Sequence, residues 1–388
     1  MIDIKVNQNI ESKIITVLEN GKLIEVYEEN KESQQARKEG NIYLGIVKDI
    51  IPGMQSAFID IGTEKNSFIH VKDVIPQIDE KVEKKVEPKI KDVIKAKEKM
   101  LVQIQKDSND KKGARISTHI KLTGKYIILM PNTTIVTISQ KIENEKERER
   151  LINIVKKFLP PNMGAIIRTA TENKNENIIK QDIDKLLKKW EQIKNSFENS
   201  NNEPKLLYKG PSILEKILID IPIEKINSIE LNDQKEYKEI QEKIDGIKII
   251  FTEEDLLKKY DIEKQIEKAK QRKIWLNCGG FITIDPTEAL VAIDVNSGKY
   301  TGKSSLEETT YKVNYEATIE IAKQIRLRDI GGIIIIDYID MKKQENKDKI
   351  EKLLKEELKK DRAKTQVEGF TKLNLMEMTR KHICSHNS

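Results

Sequence analysis

The chain has 388 residues, more than one hydrophobic core usually serves, so two or more domains are expected. Charged residues make up 35% of it and the formal net charge is +6, which favours acidic partners over a membrane interior. There is no run of about eighteen apolar residues, no basic-then-apolar leader at Met1, and no disulfide framework from the isolated Cys278 and Cys384, so a cytoplasmic protein without a membrane span is expected.

The chain opens with strand-like alternation, and Asn20-Gly21 between Ile14–Leu18 and Leu23–Tyr27 is a strong β-hairpin signal. A polar linker over 28–39 leads to a new module at Gly40. Its expected strands, 42–48, 54–61, 66–70, 100–106 and 114–120, suggest a small OB-type barrel. Phe58 and Phe68 fall on adjacent strands of it, and aromatic faces on such barrels stack bases at roughly 1–3 kcal/mol each; the plain alternative is that they belong to the core. Lys112, in the following basic loop, suits a phosphate. Residues 81–100 carry eight Lys against four acidic residues, a basic stripe that also reads as solvated surface.

From 122 to about 205 the pattern is mixed α/β, with strands at 126–130 and 165–168 and charged helices at 143–158 and 178–197. Arg168-Thr169 ends a strand, where guanidinium, hydroxyl and backbone N–H can together grip an anion, although an ordinary turn has the same sequence. After a polar boundary at 198–204, the segments 213–219, 226–231 and 247–251 resume an α/β pattern. Pairing of these strands with the opening hairpin would make 40–205 an insertion.

The last module begins at Gly279-Gly280. Strands 281–284 and 290–295 flank the turn Asp285–Ala289, and Ser305 to Glu308 reads as a capping box. Val313, Ala317, Ile321 and Ile325 then recur every fourth residue until Gly331-Gly332 stops the helix. A strand ending at Asp337 follows, then a helix over 347–362 with Ile350, Leu353, Leu354 and Leu358 on one face.

Two strands of this module end in carboxylates, Asp294 and Asp337. The run Ile333–Ile336 reads as a strand buried on both faces, so an ionised Asp at its end calls for a cation or donors. Alternation puts Asp294 and Asn296 on one face, and pairs Asp337 with Ile339 rather than with Asp340. In a strand, helix, strand unit both carboxylates lie at the C-terminal ends of neighbouring strands, where open α/β sheets place ligands. Mg2+ fits two carboxylates plus substrate phosphate oxygens, and it would polarise a phosphodiester and activate water where no His or Cys is near in sequence. An Asp after a strand also caps turns. The loop Gly298 to Gly302 lacks Walker spacing, and His382, Cys384 and His386 in the tail are weak evidence for zinc.

With these residues assembled, the chain resembles the catalytic half of the ribonuclease E/G family. The likeness is specific in 282–290, in Ala292-Ile-Asp-Val-Asn-Ser-Gly298, Glu307-Glu-Thr, Asn314-Tyr-Glu-Ala317, 325–332 and 336–341. It extends more weakly through 40–43, 57–62, 129–132 and 167–170. The resemblance implies a multidomain α/β and β protein. Its parts would be an RNase H-like domain split over 1–38 and 206–275, an inserted S1-type OB-fold over 39–120, a 5′-sensor region over 121–205 and a deoxyribonuclease-I-like catalytic domain over 276–388. It further implies that Asp294 and Asp337 bind catalytic Mg2+ with Asn296 orienting the site, and that Phe58, Phe68 and Lys112 contact RNA. Arg168, Thr169, Ile128 and Lys364 would serve a 5′-monophosphate pocket. Gln140 and Lys364 stand where the family often has Arg, which predicts weaker 5′ sensing. The family's zinc-link Cys pair is absent before Ser388, so dimers or tetramers would rest on other contacts.

The leading expectation is a Mg2+-dependent endoribonuclease that cleaves single-stranded RNA, including mRNA and rRNA precursors, to 5′-phosphate and 3′-hydroxyl ends. A non-catalytic RNA-binding protein and a DNA nuclease are the competing readings.

Overall fold

The computed structural model describes residues 1–30, 38–74, 88–108, 112–244, 246–298 and 306–383. The chain divides into two compact units, residues 1–31 with 223–388, and residues 32–222.

In the first unit, strands Ile2–Gln8, Ser12–Glu19 and Lys22–Asn30 form an antiparallel meander. Asn20 and Gly21 have φ of 51° and 76°, the pair of left-handed residues that a two-residue type I′ hairpin turn needs. Strands Ile226–Leu231 and Lys248–Phe251 continue the sheet in parallel from Ile2–Gln8, with Ile4 opposite Ile229 and Val6 opposite Leu231. The two ends of this sheet are thus joined across an intervening unit. Strand Lys205–Tyr208 belongs with the second unit, where it pairs with Ile42–Ile51 and the Gly210 N–H donates to Asn41 Oδ1 at 2.8 Å.

The second unit holds a small barrel. Strands Ile42–Ile51, Ser56–Asp60, Ser67–His70, Arg115–Ser117 and Lys99–Lys106 follow one another around it, and the last returns to the first through pairs running from Ile42/Gln103 to Ile46/Lys99. Val47, Ala57, Ile59, Ile69, Val102, Ile104 and Ile116 fill its interior. Two strands are shorter than their sequence suggests: Pro52–Met54 forms a 3-10 turn, because proline presets its φ, and only Arg115–Ser117 of 114–120 pairs. Within the described part of the basic stripe, helix Ile90–Val93 buries Ile90 and is followed by the buried Ile94. Beside the barrel, strands Leu122–Thr123, Ile127–Met130, Gly164–Ile167 and Val136–Ile138 form a sheet. It shares a core with helices Glu145–Phe158 and Glu176–Glu198 through Leu151, Val155, Ile179, Ile183 and Leu186.

The C-terminal part of the first unit is a six-stranded sheet in the order Lys273–Trp275, Phe281–Pro286, Val291–Asn296, Gly332–Asp337, Leu375–Arg380, Thr365–Phe370. Helices Leu306–Leu327 and Gln344–Leu358 pack on one face, against Ile282, Ile284, Ile293, Val295, Ile334, Ile336, Met376 and Met378. Among the described residues of this part, both helices lie on that one face, and on the other Ile333 is 50% exposed and Ile335 half-buried. Gly332–Asp337 is therefore buried on one face, not two as its unbroken isoleucine run suggests; four isoleucines in a row do not reveal that every second one is left outward. The capping Ser305 lies outside the described residues.

A buried ion network fixes both helices to this sheet. The Arg380 side chain, fully buried, donates from Nη1 to Asp329 just beyond the first helix (2.7 Å) and from Nε to Asp361 just beyond the second (2.7 Å). Asp329 adopts a left-handed φ of 49°, and Gly331 follows so close to the His382 ring that a Cβ there would sit 2.7 Å from it. Breaking such a network leaves charge buried without a partner. Arg380→Met is expected to lower the unfolding free energy of this unit by about 3–5 kcal/mol, read from its urea transition; a loss no larger than the roughly 1 kcal/mol typical of an exposed pair would show that the network is not what holds the helices.

Candidate functional site

Val291–Asn296 and Gly332–Asp337 run parallel, and Asp294 is the register partner of Asp337. Cross-strand partners share a face, so both carboxylates stand side by side on the open face of the sheet, where both are exposed. Asn296, two residues beyond Asp294, donates from Nδ2 to Asp294 Oδ2 at 2.6 Å. That bond fixes one Asp294 oxygen and turns the amide of Asn296 toward the pair.

Burial first, then the neighbouring charges of Asp294 and Asp340, push the Asp337 carboxyl above its ordinary range. Strand alternation separates Asp340 from Asp337. Pairing stops at Asp337, however, so the chain beyond it no longer alternates, and Asp340 is close enough to act on the site. No cation contributes to the Asp337 shift, and among the described residues no group of three or more His, Cys, Asp or Glu stands in metal-holding geometry. Two carboxylates side by side, with hard oxygen donors, fit Mg2+, which takes one or two protein carboxylates and completes its shell with water and phosphate oxygens. They do not fit a closed structural zinc site.

The helix Leu306–Leu327 sets the loops that present these groups. Its buried Asn314 holds the backbone of Ile339 from both sides, donating from Nδ2 to the carbonyl at 2.8 Å and accepting the N–H at 3.1 Å. Glu307 accepts the N–H groups of Lys342 and Lys343 and the side-chain amide of Asn346, and those backbone donors hold its carboxyl below the usual range. Glu316 accepts the Cys278 N–H at 2.8 Å. Three polar side chains of one helix thus tie down the segments that follow Asp337 and precede Phe281. Their spacing within the helix shows in the sequence, but their partners, 25 to 39 residues away, do not.

In the second unit, Phe58 and Phe68 are register partners on neighbouring barrel strands, with ring centroids 6.2 Å apart in an edge-to-face arrangement. Both point out of the barrel, while Ala57, Ile59 and Ile69 between them point in. Lys112 enters the same end of the barrel: the Phe68 N–H donates to Ala114 O at 2.8 Å, and Gly113 passes so close to the Asn66 carbonyl that no side chain would fit there. Arg115, opposite Phe68 and paired with Asp73 at 2.9 Å, adds an exposed guanidinium that the sequence did not single out.

Arg168 and Thr169 follow Gly164–Ile167, next to the strand that carries Ile128, opposite Ile166. Thr169 Oγ1 lies 2.9 Å from Ser139 Oγ, one residue before Gln140. The Arg168 guanidinium is engaged within the fold: Nη1 donates to the carbonyls of Gly124 (2.8 Å) and Lys125 (2.9 Å), and Nη2 pairs with Asp220. Asp220 is a competitor for any anion at this spot, and nothing in the local sequence announces it. Lys364 is exposed and belongs to the other unit. His382 Nδ1 sits 2.9 Å from the Asp329 carbonyl, while Cys384 and His386 lie outside the described residues.

Residues 121–383 match the Ribonuclease E/G family. Ribonuclease G of Haemophilus influenzae is 36% identical over 383 residues, covering 95% of this chain and 77% of that protein. Ribonuclease G of Escherichia coli strain K12 is 35% identical over 354 residues, 88% of this chain and 72% of the relative. Ribonuclease E of Synechocystis is 35% identical over 361 residues, covering 90% of this chain and 53% of its own length.

The raised pKa of Asp337 has a consequence for stability. Well below the ordinary carboxylate range the group is protonated in both folded and unfolded chains; the cost of its charge appears as pH rises through the raised folded value. In EDTA at neutral pH, Asp337→Asn is therefore expected to raise the melting temperature by about 1–3 °C, with the gain fading toward pH 3. A lower melting temperature for the variant at neutral pH would mean that the carboxylate is held by attraction rather than repulsion.

Proposed function

The chain belongs to the ribonuclease E/G family and is an endoribonuclease of RNA processing, and we propose that it cleaves single-stranded RNA with Mg2+ held by Asp294 and Asp337, leaving 5′-phosphate and 3′-hydroxyl ends. The observation that carries the metal assignment is the pair of carboxylates abreast on adjacent parallel strands, with the Asp337 carboxyl pushed up by burial and by Asp294. Bound there, Mg2+ would supply Lewis-acid polarisation of a phosphodiester oxygen and activation of water at neutral pH. Asn296 orients Asp294 through the 2.6 Å bond, and Asn314 and Glu307 fix the backbone beyond Asp337 so that the carboxylates need not reorganise.

The barrel reads as an S1-type OB domain. Its five strands in closed order and its outward Phe58 and Phe68 beside the Lys112 loop support a surface that stacks bases and meets phosphates. The five-stranded sheet of the first unit and the one-sided catalytic sheet correspond to the RNase H-like and deoxyribonuclease-I-like parts of this reading. No helix among the described residues is long and apolar enough to cross a membrane. The same reading takes mRNA and rRNA precursors as the substrates of a cytoplasmic homodimer or homotetramer.

Asp294→Asn and Asp337→Asn are each expected to lower cleavage by on the order of 10²-fold or more with RNA binding largely kept, and EDTA to do the same to the wild type. Asn296→Ala should cost less, since orientation rather than charge is lost. Near-normal turnover of either folded Asp variant removes that residue from the site. RNA bound tightly but left intact at every Mg2+ concentration by the wild type would favour a non-catalytic binding role, and equal cleavage of single-stranded DNA a general nuclease.

At the 5′ end, Arg168, Thr169 and Ile128 form the proposed monophosphate sensor. Gln140 offers no bidentate fork, and Asp220 already occupies the Arg168 guanidinium, so stimulation by a 5′-monophosphate should be present but weak. Arg168→Ala is expected to erase the rate difference between 5′-monophosphorylated and 5′-hydroxyl RNA, and Asp220→Asn to enlarge it by freeing the guanidinium. Equal wild-type rates on the two RNAs would mean that this chain does not sense the 5′ end.

A further inference from the structure

The open face that carries the acidic pair also carries an aromatic and cationic patch that neither the mechanism nor the barrel uses. Register carries a row across the sheet from Trp275 to Phe281 to Asn296, and the next row from Lys273 to Thr283 to Asp294 to Asp337. With strands about 4.8 Å apart, Phe281 stands directly beside Asn296 and Trp275 about 10 Å across from it. Trp275 and Phe281 meet edge to face at 5.3 Å, and Lys273 Nζ lies 4.2 Å from the Trp275 ring and 3.6 Å from that of Phe281.

A solvent-exposed tryptophan on an edge strand needs a reason, and Trp275 is 60% exposed. Its neighbours on the inner side of the same strands, Ile274 and Ile282, belong to the core, so the outward pair is not part of that packing. The two rings hold an ammonium group on the same open face as the carboxylates, its backbone two strands from Asp294 and three from Asp337 in the same row. Aromatic faces suit the π-face of any base, and the adjacent ammonium suits the phosphate that follows it. A row of this composition complements nucleic acid: apolar faces for the base, positive charge for the backbone, and carboxylates one row further for a metal.

We propose that Trp275 and Phe281, with Lys273, form a base-stacking subsite for the nucleotide next to the phosphodiester held at Asp294 and Asp337. The inference rests on the endoribonuclease reading of that site and adds to it a binding role for this edge of the sheet. Trp275 stacks the base on the ring face that Lys273 leaves open, Phe281 supports the tryptophan from beneath, and Lys273 meets the phosphate. The subsite accepts any base, because stacking reads no hydrogen-bond pattern, and it excludes duplexes, whose bases are already stacked on one another.

The chain has two tryptophans, and the other, Trp190, is buried in the helical core of the second unit. In EDTA, a short single-stranded oligoribonucleotide added to the Trp190→Phe protein should quench the fluorescence of Trp275, whereas an abasic oligomer of the same length should not. In the otherwise wild-type enzyme, Trp275→Ala and Phe281→Ala should each raise KM by about tenfold with kcat changed far less, and Lys273→Ala should flatten the dependence of binding on salt by about one phosphate contact. Absence of quenching together with an unchanged KM for Trp275→Ala, while the wild type cleaves normally, overturns the subsite and leaves the enzyme reading intact. If Trp275→Ala instead alters the sedimentation of the protein and not its KM, the patch is a contact between copies and the proposal falls. A wild type that does not cleave at all defeats the underlying reading, which is a separate result.

Discussion

The structure of the site depends on one register: Asp294 opposite Asp337 on two parallel strands. Because side chains alternate along a strand, a slip of one residue would turn Asp337 toward the helix-covered core and bring an isoleucine to the surface in its place. That register must be enforced against the repulsion of the two charges, which shows in the raised Asp337 pKa. The enforcement comes from the opposite face. Ile293, Ile334 and Ile336 lock under the two helices, Arg380 pins the far ends of both helices through Asp329 and Asp361, and Asn314 grips the backbone two residues past Asp337. The apolar face sets the geometry, and the polar face uses it.

A sheet covered on one side only makes this division of labour available. Covered on both sides, Gly332–Asp337 would have to bury Ile333 and Ile335, and the carboxylates would end in a dry cleft where two ionised groups cost far more. With one face open, Asp294 and Asp337 remain in contact with water and the penalty stays small enough for a fold of ordinary stability. The charge is nonetheless concentrated, and a divalent cation relieves it. Local instability at the site is therefore the same property as readiness for a metal, as expected where function and stability compete.

Much of this was legible in the sequence where the signal is local. Asn20-Gly21 demanded left-handed backbone and formed the hairpin; Val313, Ala317, Ile321 and Ile325 at helical spacing became the buried stripe of Leu306–Leu327; and the isoleucine run before Asp337 became a central strand. What stayed hidden depends on distant partners. Lys273–Trp275 has only three residues, too few for a period, and Thr365–Phe370 and Leu375–Arg380 interleave charged residues that read as loop until the inward Met376 and Met378 find the core. Arg168 looked available for an anion because Asp220 is 52 residues away. Alternation holds only as far as the pairing at Asp337, so it does not show that the charge of Asp340 reaches Asp337.

The electrostatics of the site also constrain how a polyanion could be held there. Asp294, Asp337 and Asp340 together repel phosphate, so without a cation the acidic centre cannot contribute to binding and works against it. Attraction must come from groups that are insensitive to that field or opposite to it. Aromatic faces meet the first condition, and in each unit an outward aromatic pair sits next to lysine: Phe58 and Phe68 with the Lys112 loop on the barrel, Trp275 and Phe281 with Lys273 on the open sheet. Stacking persists at salt concentrations that screen the lysines, so binding to such surfaces weakens with salt less than the net charge of +6 alone suggests. On the proposed reading, the arrangement would separate holding the chain, by rings and ammonium groups, from acting on it, by carboxylates that gain affinity for phosphate only through a bound metal.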